Sequence, residues 1–405
     1  MYLQPSTKGG NVLEMTAVCS INNYDCGLTV LSTDSPDADA FARDVAHEAG
    51  DIGAKFALFF FSQELLSADS LTTALKTHAP TLRYAGCSTA GEITPFGVQD
   101  GQMLAILFPS RNFRVVSTLI RNVSGSGLDS IAADVCAIRR LLLATCPARF
   151  AANAFALSLI DGLCNAEEAI TSAVNWGLDN IPLVGGSAAD NFKLEATTII
   201  RDGVADADCA AIILVATDVP FQVFKTTNYV PSDQKLVVTA SDTDKRIVYE
   251  FNAGVAVDEF AQAIGLAPEE LTTRNLASHP VGVSIGGEYY CRSIHNLNSD
   301  GSLRFACAID DGVVLSIAHP IDMVVATRNA LDDLRDKMGG IDIVIGFDCA
   351  LRRLDAVNRQ VSHEISELYK ANNVIGFHTY GEQFRTMHLN QTLTGIAFGH
   401  KLAAE

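Results

Sequence analysis

The sequence predicts an α/β fold: repeated helix–strand–helix–strand units in mixed sheets. Two units fall in the N-terminal domain and one in the C-terminal domain, which carries an added β-rich region. Three observations carry this prediction. Apolar runs of strand length alternate with stretches of helical apolar spacing along most of the chain. The stretch RYAGCSTAGEI (83–93), almost all small residues between an aromatic and an acid, has two relatives, PLVGGSAADN (182–191) and NVIGFHTYGEQ (373–383). The alternation leading up to each of the three is the same.

The elements follow in order. DADAFARDVAHEAG (37–50) has helical spacing, KFALFFFS (55–62) is a strand-length apolar run, and ADSLTTALKTHA (68–79) is again helical before the first small-residue stretch. The second unit repeats this with a helix over 127–144, a strand over 153–161 and a helix over 166–178. The third has a helix over 321–339, a strand over 342–348 and one helix over 355–372. After each small-residue stretch come β signals: MLAILFP with FRVVSTLI, ATTIIRDG with AAIILVA, and LTGIAFG. Strand–helix–strand crossovers imply parallel pairing with helices over the sheet faces, and the trailing strands add antiparallel ribbon. Residues 229 to 320 read as mostly β, interrupted by one short helix, VAVDEFAQAIG (255–265). No low-complexity linker separates the halves, so they are expected to pack firmly.

Composition narrows the function classes. Charged residues are 19% of the chain and the apolar set 48%, as in a folded globular protein. The formal charge of −18 argues against nucleic acid, which needs clustered Lys and Arg, and disfavours anionic membrane surfaces. The longest apolar runs, such as FALFFF and CAAIILVA, fall far short of the roughly 20 residues that span a bilayer. The opening MYLQPSTKGGNVLEM lacks the basic start and apolar stretch of a signal peptide. A cytoplasmic location is expected. The ten cysteines include no Cys-x-x-Cys pair, and most lie in apolar runs, as expected of reduced thiols.

Ligands of α/β sheets bind beyond the carboxyl ends of the strands, where successive turns converge. The three small-residue stretches occupy that kind of position. Gly86, Gly185 and Gly376 line up, as do Ser88, Ser187 and His378, and Glu92 with Glu382. The second copy, with Gly186, places its acid one position earlier. Glycine allows close approach to the backbone, and hydroxyls with free amides supply directed hydrogen bonds. The expected ligand-binding set is Cys87, Ser88, Thr89, Glu92, Gly185, Gly186, Ser187, Cys349, Arg352, Thr379, Tyr380, Gly381 and Glu382. The competing reading is that these glycines only make tight turns.

Other motifs are missing. There is no Walker Gly-x-x-x-x-Gly-Lys, no Gly-x-Gly-x-x-Gly after a strand and no His-Glu-x-x-His. His363 and Glu364 are neighbours on a predicted helix, read as solvated surface and not as a metal pair. Cys87 and Cys349 are the candidate nucleophiles of a thiol enzyme, with Arg352 and Arg353 near enough in sequence to favour a Cys349 thiolate. No base is apparent for either, and no enzyme activity is expected.

GCSTAGEI, VGGSAAD, FDCALRR and IGFHTYGEQ…NQTLTGIAF resemble, in order, the signature stretches of the FIST sensory proteins, and the likeness covers residue 30 to the end. The resemblance implies a FIST N-type domain over 30–228 and a FIST C-type domain over 229–400. It implies a small-ligand sensor, amino acids being one suggested ligand, that signals to histidine kinases, chemoreceptors or cyclic-di-GMP enzymes. In architecture the chain is similar to the stand-alone NosP branch, which binds haem b, senses nitric oxide and acts on a partner histidine kinase. For the axial ligand of such a haem the chain offers His378, then His388, then His295. The alternative is a FIST sensor for an amino acid or similar metabolite. There Ser88, Thr89, Thr379 and Glu382 would hydrogen-bond the ligand and Arg352 would pair with its carboxylate.

Overall fold

The computed structural model describes residues 19–150, 153–272 and 276–400. The leader reading concerns residues 1–15, which lie outside them. The fold is mixed α/β, and all three units form. The first runs through helix Ala38–Ile52, strand Ala54–Phe61, helix Ala68–His78 and strand Arg83–Ser88. The second has helix Leu128–Thr145, strand Ala154–Ile160, helix Glu167–Leu178 and strand Leu183–Ser187. The third has helix Met323–Met338, strand Ile343–Cys349, a helical crossover and strand Val374–Thr379.

The helix ends follow local chemistry. Asp37 caps the first helix by accepting from Ala40 N, and Gly53 closes it at φ 69°. The third crossover is not the single helix expected over 355–372. It divides into Ala350–Asn358 and Ser362–Ala371, and Gln360 between them stands at φ 61°, which an α-helix cannot continue.

Each unit builds a sheet on one plan. Its two crossover strands pair in parallel, and the unit's last long strand adds antiparallel beside the first of them. The strand preceding the unit adds antiparallel outside that: Thr29–Thr33, Phe113–Arg121 and Phe221–Thr227 respectively. The other edge is filled by a short hairpin from a different unit. The first unit's hairpin, 92–99, pairs with the third unit's strand Val374–Thr379. The second's, 199–206, pairs with the first unit's Arg83–Ser88. The third's, 382–389, pairs with the second unit's Leu183–Ser187. The exchange closes a ring of three sheets with a quasi-three-fold axis.

The inner faces of the three sheets share one core. Phe60 from the first unit meets Phe377 and Phe347 from the third, with ring centroids 4.6 and 6.4 Å away, and Phe155 of the second meets Phe398 at 5.7 Å. Separate apolar layers lie between each sheet and its helices. The β-rich region has its own core, around Phe251, Phe260, Phe305 and Leu315. Its helix, Ala256–Ile264, is the one expected there.

The three aligned glycines have a common task. A Cβ on Gly86 would stand 2.3 Å from Phe59 O, on Gly185 2.1 Å from Ser158 O, and on Gly376 1.8 Å from Gly346 O. In each case the obstructing carbonyl belongs to the neighbouring parallel strand. The room left there by the sequence is filled by backbone.

Candidate functional site

The strand-end turns of the three units converge on the axis and bind one another. Ala90 N donates to His378 O at 2.9 Å and His378 N returns a bond to Gly91 O at 2.8 Å. Ala189 N donates to Ser88 O at 3.0 Å, and Ser187 N to Gly381 O at 2.8 Å. Ala90 and Ala189, at equivalent turn positions, pack with Ala350 and Tyr380 into one small cluster.

The hydroxyls and acids expected to meet a ligand are largely engaged within this junction. Ser88 Oγ accepts from Thr198 N at 3.0 Å, and Ser187 Oγ from Gln383 Nε2 at 2.9 Å. Thr379 Oγ1 donates to Ser187 O at 2.7 Å. Thr89 donates to Glu92, whose other oxygen accepts from Gln102 N at 2.9 Å. Burial raises the Glu92 carboxyl to about 7. Glu382 accepts from Thr392 Oγ1 at 2.6 Å while its Oε1 has no partner, and burial lifts its carboxyl well above the usual range. Gly186 faces Thr379, Phe347 and Phe377, and Gly381 lies directly on the His388 ring.

Two cavities open beside the junction. The larger, of about 530 Å³, lies past the carboxyl ends of strands Ala154–Ile160 and Val374–Thr379. Its apolar wall comes from Leu163, Phe192, Leu194, Phe305, Leu351 and Leu354, and its polar groups include Glu167, Arg246, His295, Arg304, Thr379 and Tyr380. Asp190 shapes one side. Against the burial that would raise it, its carboxyl is held below the usual range by the Tyr380 hydroxyl and by the amides of Leu194, Glu195 and Ala196 at 2.7–2.9 Å. The loop so gathered holds Phe192 at φ 63° and Leu194 at φ 56°, a costly conformation for bulky residues, and leaves both exposed.

The opposite side belongs to the β-rich region. Arg246 is buried, donates to Ala306 O at 3.1 Å and to Glu168 at 2.8 Å, and pairs with Glu167. Burial raises the Glu167 carboxyl against the pull of that guanidinium. Arg304 carries no ion pair or side-chain hydrogen bond within the described residues. Burial, with Arg304 and Arg246 nearby, lowers His295 to about 4, so its imidazole is neutral at physiological pH.

The smaller cavity, of about 320 Å³, lies by the third unit's crossover and holds Asp348, Arg352, Arg353, His363 and His378. His378 is 1% exposed; its Nδ1 stands 3.5 Å from Asp348 Oδ2, and neither ring nitrogen completes a hydrogen bond. Arg352 is committed to Asp348 at 2.8 Å, Tyr369 at 2.7 Å and Thr327 at 2.6 Å.

Of the expected residues, the structure thus brings Thr379, Tyr380 and His295 to the larger cavity, and His378 and Arg352 to the smaller. His388 lies 3.3 Å from Gln383 within the packed interior and lines neither. Burial pushes the thiols of Cys87 and Cys349 well up, and both arginines expected to favour a Cys349 thiolate, Arg352 and Arg353, are held by their own partners. His363 and Glu364 are exposed on their helix, as read from sequence. Arg246, Glu167, Arg304 and Arg353 were not singled out as ligand-binding groups; only Arg353, inside FDCALRR, lay in a quoted motif.

Family models match most of the chain: the FIST N domain over residues 55–254 and the FIST C domain over 256–385. The chain belongs to the FIST family. FIST domains are small-ligand sensor domains of signal transduction and are generally non-enzymatic. No curated protein matches the chain. A chorismatase crystal structure aligns over 94% of this FIST protein and 98% of its own chain, at 11% identity and a TM-score of 0.36. PurLQS from Thermotoga maritima aligns over 95% and 74%, at 11% identity and a TM-score of 0.19. At those scores neither likeness bears on the FIST fold or its ligand. No described helix is long and apolar enough to cross a membrane.

Proposed function

We propose that this FIST protein is a haem-dependent sensor of nitric oxide that controls a partner histidine kinase. The larger cavity would be the haem site, and His295 the residue that would hold the haem. The observation that carries the reading is a neutral imidazole lining a cavity of about 530 Å³ that has one apolar wall, with the unengaged Arg304 beside it. A b-type haem calls for an apolar slot, an axial His and cations for its propionates, and this donor set fits. The cavity lies within the 300–1,000 Å³ usual for bound small molecules. His378 fits less well, because it is 1% exposed and lines only the smaller cavity of about 320 Å³.

Haem bound there would supply an iron centre able to take up nitric oxide. The chain's own residues supply the rest. Phe192 and Leu194, on the loop held by Asp190, supply apolar surface along one side of the cavity. Arg304 pairs with an anionic edge. The walls come from the second unit, the third unit and the β-rich region, so a group held there by His295 would bias how these three parts sit together. A kinase touching two of them could read that bias as a population shift.

The test is reconstitution of the full chain with haem. A Soret band is expected, lost or displaced in His295→Ala and kept in His378→Ala. Absence of a Soret band in the parent chain would falsify the haem reading, and an unchanged spectrum in His295→Ala would remove His295 as the ligand.

A further inference from the structure

The smaller cavity has a chemistry of its own. Its buried atoms without partners are the two ring nitrogens of His378 and Nε of Arg352, and the latter can only donate. The Asp348 carboxylate is occupied by Arg352 and by Tyr369 at 2.9 Å, leaving little free negative charge inside. Arg353 crosses the same cavity, donating to Ala90 O at 2.6 Å and to Asp100, which is largely exposed, at 2.7 Å. The first turn of helix Ser362–Ala371 also faces it, through Ser362, His363 and Ile365. That helix has no side-chain cap, so its leading amides are donors without an intrahelical acceptor.

We infer that this cavity is a second binding site, for a small molecule bearing a carboxylate or phosphate group. Its oxygens would accept from Arg352 Nε, from the His378 ring and from the first-turn amides of helix Ser362–Ala371, with Arg353 supplying countercharge. A helix N-terminus and an adjacent guanidinium favour an anion, and buried donors left unsatisfied are costly until one arrives. The two arginines and the helix start oppose a metal cation in the same place. Because Arg353 also holds the first unit's turn through Ala90 O, occupancy would bear on the junction of the three turns. The inference does not depend on haem and is tested without it.

The haem-free full chain is titrated with inorganic phosphate and, separately, with succinate, at constant ionic strength set by sodium chloride, by calorimetry and thermal melting. Saturable binding of at least one, with a rise in Tm, is expected; the stronger probe identifies which oxyanion the site prefers. Arg353→Gln and His378→Gln should each weaken binding by about tenfold, the scale of one lost charge-assisted hydrogen bond. If His378→Gln fails to fold, the exposed His363→Glu serves instead, since it places a like charge at the cavity mouth and should weaken binding too. No saturable binding of either probe would mean that the cavity holds ordered water only, and binding indifferent to Arg353→Gln and His363→Glu would place the anion elsewhere. Either result overturns the inference.

Discussion

Glycine at 86, 185 and 376 marks places where the carbonyl of the neighbouring parallel strand leaves no room for a Cβ. Gly376→Ala, whose Cβ would meet Gly346 O at 1.8 Å, should cost about 3 kcal/mol or more, because backbone yields less than a side chain. Urea unfolding of the purified variant checks this, and an unchanged midpoint would refute it. Glu92 gives a pH signature. Its carboxyl has a reference value of 4.5 and rises to about 7 in the folded chain, so the folded state binds the proton more tightly. Its contribution is therefore complete below pH 4.5 and is lost as pH climbs through 7, an effect of roughly 3 kcal/mol for this group. Glu92→Gln should flatten the decline in stability between pH 5 and 8, measured by denaturant titration at each pH. The aligned small residues were plain in the sequence. Their purpose was not, because the atom that each glycine avoids lies on another strand.

Among elements, helices and strands were legible because each carries its own period of apolar residues. The break at Gln360 escaped notice, since nothing in DAVNRQVSHEISELYKAN marks a left-handed residue by composition. The cavity wall from the β-rich region was hidden for a different reason. Arg246 lies in the turn before strand Ile247–Phe251, Arg304 lies on strand Leu303–Phe305 that pairs with it from more than 50 residues away, and Arg246 meets Glu167 across 79 residues. That pair clamps the β-rich region to helix Glu167–Leu178. Arg246→Leu would leave two carboxylates facing each other without their cation, and should destabilise the chain by about 3–5 kcal/mol. Adding Glu167→Gln should recover part of the loss. Guanidinium unfolding of the single and double variants measures both, and equal stability of Arg246→Leu and the parent would show that the clamp contributes nothing.

For the whole molecule, the exchanged hairpins make the two halves interdependent. The second unit's sheet is finished by residues 382–389 and the third's by residues 92–99. The shared core takes Ile343, Phe347, Phe377 and Phe398 from the C-terminal half. A fragment ending at residue 228 should therefore show no cooperative melting by calorimetry, whereas the full chain should unfold in one transition of its three-sheet body. A sharp transition in the fragment would contradict this. The sequence made the three units visible as repeats, but which sheet each hairpin joins is decided by contacts between units and left no local trace.

The same arrangement sets a schedule for biosynthesis. Residues 92–99 reach their partner strand only after a further ~275 residues have been translated, which at the usual 5–20 residues per second is about 15 to 55 seconds. Throughout that interval the ribbon keeps an unpaired edge, the kind of surface on which nascent chains stick to one another. A cell making this protein must shelter that edge until the last unit leaves the ribosome, so soluble yield should follow chaperone supply more closely than the stability of the finished molecule would suggest.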